Sequence, residues 1–336
     1  MTAPRRRRAS SAMDERAFHA WLARTLPGGA RGALPLGDDA AAVPLSAGSV
    51  AVVSTDSLVE GTHFRPHAPP RLVGRAASAV SLSDLAAKGA APLAVFLAIV
   101  VPSGSPRAWA QELVLGAEEE AARFGAHVLG GDTKPGPTRT VVSTVVGSAR
   151  PAGLVGRTGA RPGDRLVTTG VVGRGGAAAL ALGSRGAAGR RADSELLRVH
   201  PRVPEGRALA RYATAMLDTS DGLAESARLL AGASCVRVVV DERRLPIAPQ
   251  LRVIRAPQRR RAVAFYGGDY ELLATVPRAR LADATRAVHR AGGRLTAIGV
   301  VRTGRGAWLL GRDGEEPMPP AGWQPFGSST RSRRGR

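Results

Sequence analysis

Apolar positions along the chain recur with two periods. Residues 49–54 are a short β-branched run that predicts a strand, and residues 71–90 set small apolar side chains at helical spacing. Residues 93–101 predict a buried strand closed by Pro102. Residues 105–124, with Trp109, Leu113, Leu115 and the run Glu118-Glu119-Glu120, predict an amphipathic helix with a polar outer face. Strands at 127–129 and 140–146 complete an α/β or α+β domain ending near Arg150. The stretch 151–164, with Gly153, Gly156, Gly159, Pro162 and Gly163, reads as a turn-rich hinge. Beyond it the alternation resumes. A strand is predicted at 165–172, a helix at 175–182, a polar loop at 184–192, and helices at 204–215 and 223–231. Strands at 235–240, 272–276 and 294–301 and a helix at 278–291 follow. The expected organisation is two domains, 17–150 and 151–327, flanked by tails at 1–16 and 328–336, with no short-period repeat.

Composition narrows the class. A chain of 336 residues with 44% hydrophobic and 22% charged residues is globular, long enough for a core in each domain. The single cysteine, Cys235, excludes an intrachain disulfide and sits in an apolar, strand-like run that predicts a small buried hydrophobe. The four arginines at the N-terminus have no apolar run behind them, so cytoplasm is the expected compartment. The best membrane candidate, residues 92–101, is half the length of a span, so no membrane partner is expected. The formal charge is +21, yet Lys occurs only at Lys88 and Lys134. Eight of the 21 charges lie in the Arg-rich tails, which predict as disordered. With aromatics at 4%, no basic-aromatic interleaving supports nucleic-acid binding.

The acids carry the chemical signal. They recur at strand-to-loop junctions beside Gly, Ser or Thr: Gly37-Asp38-Asp39, Ser54-Thr55-Asp56, Ser83-Asp84, Gly130-Gly131-Asp132-Thr133, Asp218-Thr219-Ser220-Asp221-Gly222 and Gly267-Gly268-Asp269-Tyr270-Glu271. Oxygen-rich, His-poor clusters suit Mg²⁺, which points to a nucleotide-phosphate substrate. No Walker A sequence, dinucleotide fingerprint or kinase catalytic loop is present. Each cluster has a plain alternative. Asp218 and Ser220 could cap the helix that starts near Gly222, Asp84 could form a surface ion pair with Lys88 four residues on, and the Gly-Asp pairs could be turns. Together the clusters favour one shared metal site.

In this order, GDDAAAV from Gly37, STDSLVEGTHF from Ser54, SLSDLAAKGA from Ser81, GGDTKPG from Gly130, GRTGARPGD from Gly156 and DTSDG from Asp218 give the chain its resemblance. It resembles the thiamine-monophosphate kinase family, within the superfamily of aminoimidazole ribonucleotide synthetase, selenophosphate synthetase and a hydrogenase-maturation dehydratase. The likeness spans roughly residues 34–326. VEGTHF before SLSDLAAKG, and Gly322-Trp323 with Phe326, point to the kinase. The resemblance implies ATP-dependent phosphorylation of thiamine monophosphate to thiamine diphosphate by direct in-line transfer. It also implies a homodimer in which the N-terminal, Mg- and ATP-binding domains share a β-barrel, with a C-terminal α/β domain closing over ATP. Family positions matching Asp39, Ser54, Thr55, Asp56, Asp84, Asp132, Asp218 and Asp221 hold Mg²⁺. Those matching Gly131, Asp132, Arg157 and Ser220 contact ATP. His63 and Trp323 match positions that touch the acceptor, though by themselves they read equally as a surface histidine and a core aromatic.

The chain departs from the family at one point. The family has Gly-Gly-Glu-Asp-Tyr-Glu where this chain has Gly267-Gly268-Asp269-Tyr270-Glu271, so the acceptor-binding Glu falls on Gly268 if no gap is allowed. Either Asp269 takes over its role or the contact is lost. The neighbouring Arg-rich stretch 252–261 is either a solvated helix face or a further source of phosphate attraction. Selenophosphate synthetase and the hydrogenase-maturation member need reactive terminal cysteines, which this chain lacks. Two rival readings remain: an aminoimidazole ribonucleotide synthetase-like enzyme acting on a small phosphorylated or amide substrate, and a non-enzymatic polyanion binder whose affinity tracks salt.

Overall fold

A computed structural model describes residues 33–34, 38–45, 48–182 and 186–323. The Arg-rich tails, Gly37 and Phe326 lie outside the described residues. The protein is mixed α/β with two sheets. The first is built from β1 (Ala41–Pro44), β2 (Val50–Val59), β3 (Ala91–Val101), β4 (His127–Pro135) and β5 (Thr140–Ala149), in the order β1-β2-β5-β3-β4. Only β3 and β4 run parallel, joined through helix α2 (Arg107–Ala122). Helix α1 (Pro70–Ala87) packs on this sheet and on α2.

The second sheet has seven strands in the order β12-β11-β8-β10-β6-β9-β7. They are β6 (Arg165–Thr169), β7 (Ala215–Asp218), β8 (Arg237–Asp241), β9 (Leu272–Val276), β10 (Leu295–Arg302), β11 (Gly306–Leu310) and β12 (Glu315–Pro317). Helices α3 (Arg174–Ala181), α4 (Ala187–Leu196), α5 (Val203–Leu209), α6 (Leu223–Ala233), α7 (Pro257–Ala264) and α8 (Leu281–Arg290) accompany it.

Helix α1 explains how the halves join. From Ala76 to Ala87 nearly every residue is buried, because Ala and Ser at eight of the twelve positions allow close neighbours. A Cβ on Gly116 of α2 would lie 1.9 Å from the Arg71 carbonyl oxygen, and one on Gly206 of α5 would lie 2.1 Å from that of Ala86. The two glycines let helices from both halves press on α1, and this contact fixes where the acids at its C-terminal end sit.

Several sequence expectations are corrected. The stretch read as a polar loop contains α4, whose Gly, Arg and Asp content hides the helix from hydrophobic periodicity. The helix expected at 204–215 stops at Leu209, and Ala215–Asp218 is instead the four-residue strand β7. Glu120 faces inward, 1% exposed, held by Arg75 at 3.2 Å and Arg123 at 2.9 Å. Cys235 is exposed rather than buried in a strand: it occupies the turn after α6 with φ +53°, its amide bonded to the Gly232 carbonyl. The Arg-rich 252–261 stretch is partly helical, ending in α7.

Candidate active site

The segment just before β1, the C-terminal half of α1 and the end of β7 bring three carboxylates together beside β2. Ligand oxygens of Asp39, Asp84 and Asp218 all lie within 4.8 Å of one another. Strand alternation points Ser54 and Asp56 to this side, and Ser54 Oγ donates to Asp84 Oδ2 at 2.5 Å. Ser83 donates to Asp218 Oδ2 at 2.7 Å and Ser220 to Oδ1 at 2.8 Å. Asp218 therefore holds its own loop, while α6 begins after Gly222 without a side-chain cap.

The charges are divided unequally. Lys88 is wholly buried and meets Asp38 at 2.5 Å and Asp39 at 2.7 Å, while Arg157 also pairs with Asp39. The surface pair with Asp84 suggested by the spacing is thus replaced by a buried one with the opposite strand's loop. Burial pushes the Asp39 carboxyl up, but Lys88 and Arg157 outweigh it and hold it below its ordinary range. Asp84 is bonded by the Ser54 hydroxyl and the Asp56 carboxyl, and Asp218 by the hydroxyls of Ser83 and Ser220 and the Ser220 amide, with no ion pair to a cationic side chain among the described residues. Burial, with the charges of Asp56, Asp218 and Asp39, raises Asp84 well above the carboxylate range, and burial with Asp39 brings Asp218 to about 6. Burial also raises Asp56. A concentration of negative charge that the protein itself leaves uncompensated marks a site for external cations. An all-oxygen, hard donor set of this kind fits Mg²⁺.

The cluster opens into a cleft of about 350 Å³ lined by Asp56, Asp84, Asp218, Ser220, Asp221 and the loop Gly267-Gly268. His63, Tyr266, Tyr270 and Trp323 also face it. His63 Nδ1 accepts from the Val59 amide at 3.0 Å, and burial lowers its pKa, so the ring is neutral and presents Nε2–H. Trp323 is anchored by its amide to the Asp221 carbonyl at 3.0 Å and stands edge-on to Tyr266, with ring centroids 6.1 Å apart. Sequence reasoning missed Tyr266, Tyr270, Asp38 and the role of Lys88; a lysine directly after the small-residue run of α1, in a chain with only two lysines, was the available signal for Lys88.

Three predicted residues sit elsewhere. The Thr55 hydroxyl bonds Thr144 at 2.9 Å on the opposite face of the sheet from Ser54. Asp132 is exposed on β4 next to Gly131 and pairs with Lys134 at 3.1 Å. Asp269 is buried, with its oxygens bonded to the amides of Gly173 at 2.7 Å and Gly175 at 2.8 Å at the start of α3, and burial raises it to about 6. Asp269 is not among the residues lining the cleft, although Gly267, Gly268 and Tyr270 are.

This two-sheet fold with its carboxylate cluster is that of the AIR synthase related proteins. Residues 37–149 match the N-terminal domain of that family and residues 161–308 the C-terminal domain. The chain is 40% identical over 265 residues to the thiamine-monophosphate kinase of Halobacterium salinarum, covering 79% of this chain and 87% of that one. It is 37% identical over 304 residues to the Caulobacter vibrioides enzyme of the same name, covering 87% and 86%. Among solved structures, "AaThiL complexed with AMPPCP and TMP" superposes with a TM-score of 0.74 at 27% identity, covering 85% of this chain and 90% of that one. The chain belongs to the thiamine-monophosphate kinase family.

Proposed function

We propose that the protein transfers the γ-phosphoryl group of ATP to thiamine monophosphate, giving thiamine diphosphate and ADP. The observation that carries this reading is the carboxylate cluster, in which Asp84 and Asp218 have no ion-pair partner among the described residues and line a cleft with an aromatic wall, in a chain of this family. Mg²⁺ held by Asp39, Ser54, Asp56, Asp84, Asp218 and Asp221 would neutralise the phosphates and let two anions approach. Transfer is in-line: an acceptor phosphate oxygen forms the new P–O bond as the bond to the ADP oxygen breaks. No general base is required, since that oxygen is already anionic. Arg157, fixed by Asp39, and Ser220 would contact ATP, with Gly131 and Asp132 as further nucleotide contacts. Trp323 and Tyr266 would pack on the acceptor's rings, and His63 would donate to it.

Residues 17–150 would carry dimerisation and 151–327 close the nucleotide site. The outer face of the first sheet exposes Leu93, Phe96 and Leu129 at 53%, 39% and 65%, which supports a homodimer joined through β3 and β4, the strand that also bears Asp132. Among the described residues no helix is long and apolar enough to cross a membrane, and a cytoplasmic location fits the reaction. The test is incubation of purified protein with Mg²⁺-ATP and thiamine monophosphate, with chromatography of the thiamine esters. Thiamine diphosphate is the expected product; ATP binding without it would move the search to another acceptor.

A further inference from the structure

A second cavity lies away from the carboxylate cleft. A groove of about 590 Å³, within the range of small-molecule sites, runs between the loop after β8, helix α7 and the β11–β12 turn. Its polar wall carries Arg243, Arg252, Arg260, Arg261 and Arg312 against only Glu242 and Asp313, and its floor is apolar, formed by Leu245, Ile247, Ala264 and Phe265. The lining residues alone sum to five cations less two anions, +3, and Asp241 and Glu316, which reach in from outside to Arg243 and Arg261, bring this to +1. Two of the arginines are already engaged: Arg261 with Glu242 at 2.6 Å and Glu316 at 2.9 Å, and Arg243 with Asp241 at 3.4 Å. No ion pair is made by Arg252, Arg260 or Arg312 among the described residues. Three cations from three chain segments facing one hollow, none of them in an ion pair among the described residues, form a receptor for an anion with several acceptor oxygens.

We propose that this groove is a binding site for a diphosphate group, free as pyrophosphate or esterified to an organic body. A diphosphate carries about three negative charges near neutral pH, one for each of Arg252, Arg260 and Arg312, and guanidinium forks suit its geminal oxygens. The apolar floor gives an organic ester a place to lie. The site also has a mechanical route to the reaction cleft. Helix α7 leads through Phe265 directly into Tyr266, Gly267 and Gly268 of the cleft wall. Ile247 bridges to Val172, next to the Gly173 that starts α3, and α3 supplies Ala179 to the same cleft. An anion drawing Arg260 towards Arg312 would brace α7 and thereby the aromatic wall.

The test is titration calorimetry in EDTA, where the carboxylate cluster, lacking metal, repels anions. Inorganic pyrophosphate and ADP are compared on the wild-type protein and on R252Q/R260Q/R312Q, with R312Q alone as a milder variant. The expected result is one-to-one binding of at least one of the two, weakened about tenfold or more in the triple variant and less in R312Q, with kcat for the kinase reaction unchanged when it is measured before product accumulates. Pyrophosphate alone would identify the free anion, and tighter ADP binding an ester seated on the floor. Binding of neither, or binding equal in wild type and triple variant and so attributable to the Arg-rich chain ends, would overturn the proposal.

Discussion

Replacing Lys88 by Met keeps the length and apolar stem of the side chain but removes a cation that is wholly buried between the two halves. In the wild type its ammonium meets Asp38 at 2.5 Å and Asp39 at 2.7 Å and donates to the Met216 carbonyl at 3.1 Å. Arg157 remains to share Asp39, yet two buried carboxylates then face one guanidinium. Removing one partner of a buried pair costs about 3–5 kcal/mol. At about 2–4 °C per kcal/mol for a protein near this size, the melting temperature should fall by about 6–20 °C. The pH dependence checks the cause. Asp39 is depressed in the folded protein because Lys88 and Arg157 outweigh burial. Its contribution is therefore present above the unfolded pKa, near 4, and lost as pH falls through the lower folded value. The variant should thus be most deficient at neutral pH and approach wild type in acid. Calorimetric melts in EDTA across that range measure both. A melting temperature within about 2 °C of wild type at neutral pH, below the loss worked out above, would refute the reasoning, as would a deficit that widens in acid.

Burial and Asp39 raise Asp218 to about 6 from its ordinary 3.8. The metal-free folded protein then binds a proton that the unfolded chain has released, and its stability should fall as pH rises from about 4 through 6. Mg²⁺ should accordingly raise the melting temperature at about pH 7.5 and much less at about pH 5; equal shifts would contradict the site. Gly116→Ala drives a methyl to within 1.9 Å of the Arg71 carbonyl oxygen and should cost about 1–3 kcal/mol in urea unfolding. Trp323→Ala should raise KM for the acceptor about tenfold with little change in kcat; a fall in kcat at constant KM would remove its role as a packing surface.

The sequence was most readable where one physical pattern acted alone. β2, α1, β3 and α2 were legible because β-branched runs and small-residue helical spacing are local signals, and the acid clusters were legible as a set because they recur at strand ends. The alternative of a surface pair between Asp84 and Lys88 failed because i,i+4 spacing identifies neighbours only on a solvated helix; the C-terminal half of α1 is buried, and Lys88 reaches a loop from another part of the chain. Glu120 hid within a run of three glutamates whose inward member is decided by Arg75 of α1. α4 and β7 failed for opposite reasons, one too polar to show a periodicity and the other too short to break one. Asp269 sits in a motif of the site, but its oxygens serve the start of α3, a tertiary contact that spacing cannot reveal.

In the proposed reaction the carboxylates at the meeting of β2, α1 and β7 would carry the phosphoryl transfer. The most direct measurement is turnover of Mg²⁺-ATP and thiamine monophosphate by wild type, Asp56→Asn and Asp218→Asn, with circular dichroism confirming that each is folded. The account predicts thiamine diphosphate from wild type and a loss of about a hundredfold or more in kcat for each folded variant. A folded Asp218→Asn protein that turns over at the wild-type rate would contradict it.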